Sequence, residues 1–278
     1  MRASTFSLSF KLKRIMKKGM KWWGVVLTFL ITVTTLSFKN SVPSSPANKQ
    51  NVERDTTKNF SNESLSSMDI FNGDLLTLYK LADLESAGLN FDVLKKAMTG
   101  YHNLKDLNLL PKDKALLTVV DFTKPSTEKR LWVIDLAAQK ILFNTFVAHG
   151  QGSGETVAEK FSNITNSFQS SVGFYSTAEV YTGKHGRSLK LDGLDADLNG
   201  KARERAIVVH GADYVSQEFI NRTGRLGRSQ GCPALPMNLF TDVIDNIKGN
   251  TLLFINGNGV DTSDYLKEID HTDSKNQA

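Results

Sequence analysis

Arg130–Ala148 reads RLWVIDLAAQKILFNTFVA. Two runs rich in Leu, Val, Ile, Phe and Trp flank the short connection Asp135–Gln139. Branched and aromatic residues suit a pleated, half-buried surface, so the stretch predicts a β-hairpin. The same character extends outward. ALLTVVDF (115–122) precedes it, and SVGFYSTAEVYTG (171–183) reads as a further strand pair. AIVVHG (206–211) is a buried strand ending at a histidine, and TLLFING (251–257) is the last strand. One helix is expected over Pro236–Lys248, with Leu239, Phe240, Val243, Ile244 and Ile247 on one face and Gly249 as its stop. The body is therefore mainly β with a few helices, a single sandwich- or barrel-like domain.

Ahead of it, two helical patterns predict a hairpin, so the class is α+β overall. Leu75, Leu78, Tyr79 and Ala82 mark the first helix, which ends near Gly88. Asn90 is a suitable N-cap for the second, which carries Phe91, Leu94, Ala97 and Met98 and is closed by Gly100.

The chain has 278 residues, 40% of them hydrophobic, which excludes wholesale disorder and a polytopic membrane protein. Its net charge of +5 is concentrated at the start. Seven basic and no acidic residues fall within the first 21, leaving 27 basic against 29 acidic in the rest. A basic patch on the folded body is thus not indicated, and nucleic acid is not an expected partner. Trp22–Phe38 is an uncharged run of 17 residues behind that basic flank. It reads as a signal anchor or signal peptide that puts the body outside the cytoplasm. The expected divisions are a leader over 1–38, a disordered linker over 39–68, a helical segment over 69–112, the main β domain over 113–258 and a frayed polar tail over 259–278.

Cys232 is the single cysteine, so no internal disulfide can form. It sits in Ser229-Gln230-Gly231-Cys232, 22 residues after His210-Gly211. A nucleophilic thiol needs a base and a tight turn whose N–H groups can face an oxyanion, and glycine before the cysteine permits such a turn. Taken alone, a lone Cys is more often an inert core residue and a lone His a strand-end polar group. The glycine turn, the strand-end histidine and the exported context together tip the reading toward catalysis.

The strand-end His-Gly followed by Ser-x-Gly-Cys resembles the L,D-transpeptidase catalytic-domain (YkuD-like) family, in its murein L,D-transpeptidase branch, over roughly residues 85–257. The resemblance implies an L,D-transpeptidase-like β fold and a cysteine acyltransferase acting on peptidoglycan stem peptides. Cys232 is then the nucleophile and His210 the general base and acid. The Gly211 carbonyl orients the imidazole, the N–H groups of Cys232 and Gly231 form the oxyanion hole, and Ser229 shapes the turn. The family places His or Arg before the Gly-Cys, where this chain has Gln230, and an Arg two residues after it, where this chain has Ala234. Arg225 and Arg228 on the spacer are candidates to replace that Arg by bidentate carboxylate binding, with Tyr214 a weaker candidate. No cofactor is implied. The acceptor is an amine of a peptide or protein, giving a crosslink or an attachment to the cell wall.

Other readings follow from the same residues. Water as the acceptor makes an L,D-carboxypeptidase, and the departures at Gln230 and Ala234 suit a non-catalytic peptidoglycan-binding module of the envelope. A sortase-like enzyme would want Thr-Leu-x-Thr-Cys, and a papain-like one would place Cys before His. His149, His185, His210 and Cys232 lack metal-ligand spacing. Gly150–Gly154 lacks the downstream Gly-Lys of a phosphate loop, so it is expected to be a flexible loop beside the substrate.

Overall fold

The structure is a computed structural model and describes residues 66–184 and 186–267. The leader and nearly all of the linker lie outside the described residues. No described helix is long and apolar enough to cross a membrane.

Helix α1 (Ser67–Leu81) opens with a reciprocal cap. Ser66 Oγ accepts from the Asp69 N–H, and the Asp69 carboxylate accepts from the Ser66 N–H. This satisfies two of the donors a helix start leaves unpaired. Helix α2 (Phe91–Asp106) is capped by Asn90, whose side chain accepts from the Asp92 N–H. Leu94, Ala97, Tyr101 and Leu104 repeat at helical spacing and are buried against the sheet.

Gly100 does not end α2; it lies inside it. A Cβ built there would come 2.1 Å from the Phe174 ring, so the glycine serves close approach of helix to sheet rather than termination. Trp132 Nε1 donates to the Ala87 carbonyl at 3.0 Å, fastening the interhelical turn to the sheet.

Eight strands form one mixed sheet: β1 (Leu116–Asp121), β2 (Leu131–Asp135), β3 (Lys140–Thr145), β4 (Gly173–Gly183), β5 (Gly186–Gly193), β6 (Val208–Gly211), β7 (Ala234–Leu235) and β8 (Leu252–Asn256). Their order is β3-β2-β1-β8-β4-β5-β6-β7. The β1–β8 and β6–β7 pairs are parallel and the others antiparallel. All five residues of β8 are buried, as expected for a central strand covered on both faces. The edges meet. Ala148, just past β3, bridges Ala234 of β7, and Gly150 bridges Ser229, so the sheet curls into a near-barrel.

The β2–β3 hairpin forms where the sequence predicts it. Asp135 accepts from the N–H groups of Ala137 and Ala138, and Gln139 takes a φ of 50°. Residues 171–183 do not make a strand pair. They make the single long β4, whose partner is β5, GRSLKLDG, a segment too charged to register as a strand. The helix expected from Pro236 starts four residues later, as α4 (Phe240–Ile247). The short helix α3 (Gln217–Thr223) is too brief to show an apolar period in the sequence; Ser216 caps it by accepting from the Phe219 N–H.

Residues 260–266, expected within a frayed tail, form two short 3₁₀ turns. Val260 is fully buried, and Asn103 of α2 donates to the carbonyls of Tyr265 and Lys267.

Candidate active site

The last residue pairs of the sheet decide where the chemistry lies. In the parallel β6–β7 ladder His210 is the register partner of Ala234, two residues beyond Cys232. His210 and Cys232 both line one cleft of about 520 Å³, together with Val208, Ala206, Arg205, Tyr214, Arg228, Ser229 and Gln230. The imidazole of His210 is buried, with Nδ1 2.9 Å from the Gly211 carbonyl oxygen. A carbonyl only accepts, so Nδ1 carries a hydrogen, which fixes the tautomer of the neutral ring with Nε2 as its basic nitrogen. Gly211 itself is sterically required: a Cβ there would lie 2.6 Å from the Phe240 ring and 2.9 Å from Met237 Sδ.

The turn bearing the thiol is pinned by one hydroxyl. Ser229 Oγ donates to the Cys232 carbonyl at 2.6 Å and accepts from the Gly231 N–H at 3.0 Å. The Gly231 N–H is therefore committed to Ser229, which corrects the expectation that it faces an oxyanion. Gly231 holds φ at 124°, and a Cβ would meet the Gln169 carbonyl at 2.8 Å. Only glycine fits both demands. Ser170 joins the neighbouring loop to this turn: its Oγ accepts from the Gly150 N–H and donates to the Gly231 carbonyl.

Cys232 is half-buried, with Sγ 3.6 Å from the Ala206 carbonyl. Burial pushes the thiol up, while the Val208 N–H and the charge of Arg205 pull it back. Tyr214 is pushed up to about 12, chiefly by burial and further by the nearby Cys232. Its ring packs where a side chain on Gly227 would otherwise sit.

The two spacer arginines separate. Arg228 lines the cleft but already holds Glu155 at 2.6 Å and the Gly154 carbonyl at 3.0 Å. Arg225 is not part of the cleft wall. Its Nε pairs with Glu155 at 3.0 Å and its Nη1 donates to the Leu226 carbonyl. It acts as a clamp on the 150–155 loop, which removes it as a direct carboxylate ligand. Gln230 is exposed at the cleft rim.

Two further cations stand at the cleft without any signal in the sequence. Arg205 and Lys184 line the cleft with Arg228, against one carboxylate, Glu204. Only three-dimensional placement reveals them, because Arg205 lies in an irregular turn before β6 and Lys184 at the β4–β5 turn. Among the described residues no cluster of His, Cys, Asp and Glu is arranged to hold a metal.

Comparison with known proteins bears on this arrangement. The family model for the L,D-transpeptidase catalytic domain matches residues 85–256, well over half of the chain. The chain belongs to this family. Among solved structures, it is similar to an L,D-transpeptidase from Mycobacterium smegmatis at 11% identity and a TM-score of 0.33, over 51% of this chain and 59% of that one. An L,D-transpeptidase from Stackebrandtia nassauensis gives 15% identity and a TM-score of 0.32, over 66% of this chain and 76% of that one. The match thus takes in less than two thirds of the length of the mycobacterial protein. No curated protein matches. The family domain takes in both β6 and β7, and so contains His210 and Cys232.

Proposed function

We propose that this L,D-transpeptidase-family domain transfers acyl groups of peptidoglycan stem peptides through a thioester on Cys232. The observation that carries the reading is that His210, near the end of β6, and Cys232, two residues ahead of the parallel strand β7, line one cleft.

Because burial raises the thiol, Cys232 rests largely protonated and needs a base at the moment of attack. The thiol proton passes to His210 Nε2 as Sγ adds to the carbonyl carbon of the L-centred third stem residue. The Gly211 carbonyl keeps the ring oriented by holding Nδ1. The Cys232 N–H is the oxyanion donor in this scheme, since that of Gly231 is engaged with Ser229. Collapse of the tetrahedral intermediate breaks the peptide bond, His210 protonates the departing amine, and D-Ala leaves. An acceptor amine then attacks the thioester, gives a proton to His210 and regenerates the thiol. The bond energy is conserved in the thioester, so no nucleotide is needed. Water in place of the amine gives a carboxypeptidase outcome at the same site.

The cations Lys184, Arg205 and Arg228 suit a substrate carrying free carboxylates. Such a substrate lies in the bacterial envelope, outside the cytoplasm, which agrees with the basic leader and apolar run as an export signal or anchor.

Intact-protein mass spectrometry tests the reading. After incubation of the full-length protein with a disaccharide-tetrapeptide, an acyl adduct and released D-Ala are expected, and neither with Cys232→Ala. Unmodified protein and intact substrate across several stem peptides, with Cys232 titrating as an ordinary thiol, would leave a binding module.

A further inference from the structure

Arg205 stands behind the nucleophile turn. Its Nη1 donates to the Ser162 carbonyl at 2.5 Å and to Ser171 Oγ at 3.2 Å. Its Nη2 donates to the Gln169 carbonyl at 2.5 Å and to Ser167 Oγ at 3.4 Å. All four acceptors are neutral oxygens, and among the described residues no carboxylate is ion-paired with this guanidinium. Arg228 of the cleft, Arg225 behind it and Arg203 on the surface differ in this respect: Arg225 and Arg228 share Glu155, and Arg203 is paired with Glu179 and Asp192. A guanidinium held by dipoles keeps its whole charge available to its surroundings.

That charge lies beside the turn that bears the thiol. A Cβ built on Gly231, the residue before the nucleophile, would lie 3.4 Å from Arg205 Nη2, and both Arg205 and Cys232 open onto the cleft. The Gln169 carbonyl that Arg205 holds is the same atom that limits Gly231 to glycine. One side chain thus fixes the 162–171 loop against the turn and sets a cation beside it.

We propose that Arg205 is a positioning residue which, besides bracing the turn, supplies the positive field that makes the Cys232 thiolate accessible. The proposal rests on the thiol-enzyme reading given above for its relevance to catalysis, but not for its measurement. The direction of the Arg205 effect on the thiol, downward against the upward push of burial, is consistent with it.

The test is the pH profile of Cys232 alkylation by iodoacetamide, in which the thiolate displaces iodide, on the full-length protein. Arg205→Gln keeps an amide donor for the loop and removes the charge; Arg205→Lys keeps the charge and loses the fork. With Arg205→Gln the midpoint is expected to rise by about one pH unit, with roughly tenfold slower alkylation near neutrality; Arg205→Lys is expected to restore most of that rate. A folded Arg205→Gln protein with the wild-type midpoint overturns the proposal. If Arg205→Gln does not fold, Arg205→Lys decides: a midpoint within half a unit of wild type supports the charge role, and a rise of a full unit assigns the effect to the lost hydrogen bonds and overturns it. Alkylation needs no stem peptide. A wild-type protein that shows the Arg205 effect but never releases D-Ala would sink the proposed function and leave this inference standing.

Discussion

His149-Gly150 and His210-Gly211 are the same dipeptide, each just past or at the end of a strand on the seam of the near-barrel, and both histidines are buried. Their surroundings make them opposites. His149 is held on both sides: Arg130 Nη2 donates to its Nδ1 at 2.8 Å, and Nε2 lies 3.3 Å from the Gly154 carbonyl. An arginine cannot accept, so Nδ1 is the bare nitrogen and Nε2–H the donor. Burial, and then the Arg130 charge, push this histidine down to about 4. It is a neutral strut for the 149–155 loop. His210 reverses the tautomer. Its Nδ1 holds the Gly211 carbonyl and its ring borders the cleft with Cys232. What packs around the ring, rather than the local motif, decides whether a histidine is locked as a brace or borders a cleft beside a thiol.

Exchange of the two roles would break this contrast. His210→Ala is expected to slow stem-peptide turnover by about 10²–10⁴-fold, the usual worth of a positioned acid–base group. His149→Gln should leave folded protein active within a few fold. Release of D-Ala, normalised to folded protein by circular dichroism, measures both, and equal losses in the two variants would erase the distinction.

The brace can be probed through stability. Arg130 is fully buried and donates to the Val147 carbonyl through Nε and Nη2 and to the Lys124 carbonyl through Nη1, with its guanidinium 4.9 Å from the Phe122 ring centre. Burial lowers it to about 9, so it remains charged near neutrality. Arg130→Met strands those acceptors and His149 Nδ1, and roughly 3 kcal/mol of unfolding free energy should be lost in urea titration.

A smaller effect comes from acid. His149 sits near 4 when folded against about 6.5 when unfolded, so the unfolded chain binds the extra proton between those values. Its contribution is complete above about pH 6.5 and drains away as pH falls toward 4. Between pH 7 and 5 wild type should lose about 2 kcal/mol more than His149→Gln. Parallel urea midpoints for the two proteins over that range would show that His149 is not the buried neutral strut.

The sequence carries these elements unevenly. Strands β1, β2, β3, β6 and β8 are legible because their apolar runs are continuous and bounded by turn residues. β5 escapes because Arg187, Lys190 and Asp192 interrupt it; their side chains pair across to Asp245, Glu179 and Arg203, contacts that exist only after folding. β7 is two residues between two prolines, below any periodicity. Gly100 looks like a stop because glycine usually is one, and its real partner, Phe174, lies 74 positions away. At the site, the segment from His210 to Cys232 announces itself through glycines and the lone thiol. Arg205 does not, since its meaning depends on four oxygens of the 162–171 loop.

The sheet's closure has a mechanical side. The β1–β2 and β1–β8 ladders are each five residue pairs long, whereas β6–β7 is two, and the seam beyond it is closed by two isolated bridges, Ala148–Ala234 and Gly150–Ser229. Local opening is cheapest where the fewest backbone bonds must part. The ring of strands is thus weakest along the line that carries the thiol. Parting there would leave the longer ladders opposite, and the apolar interior they cover, in place.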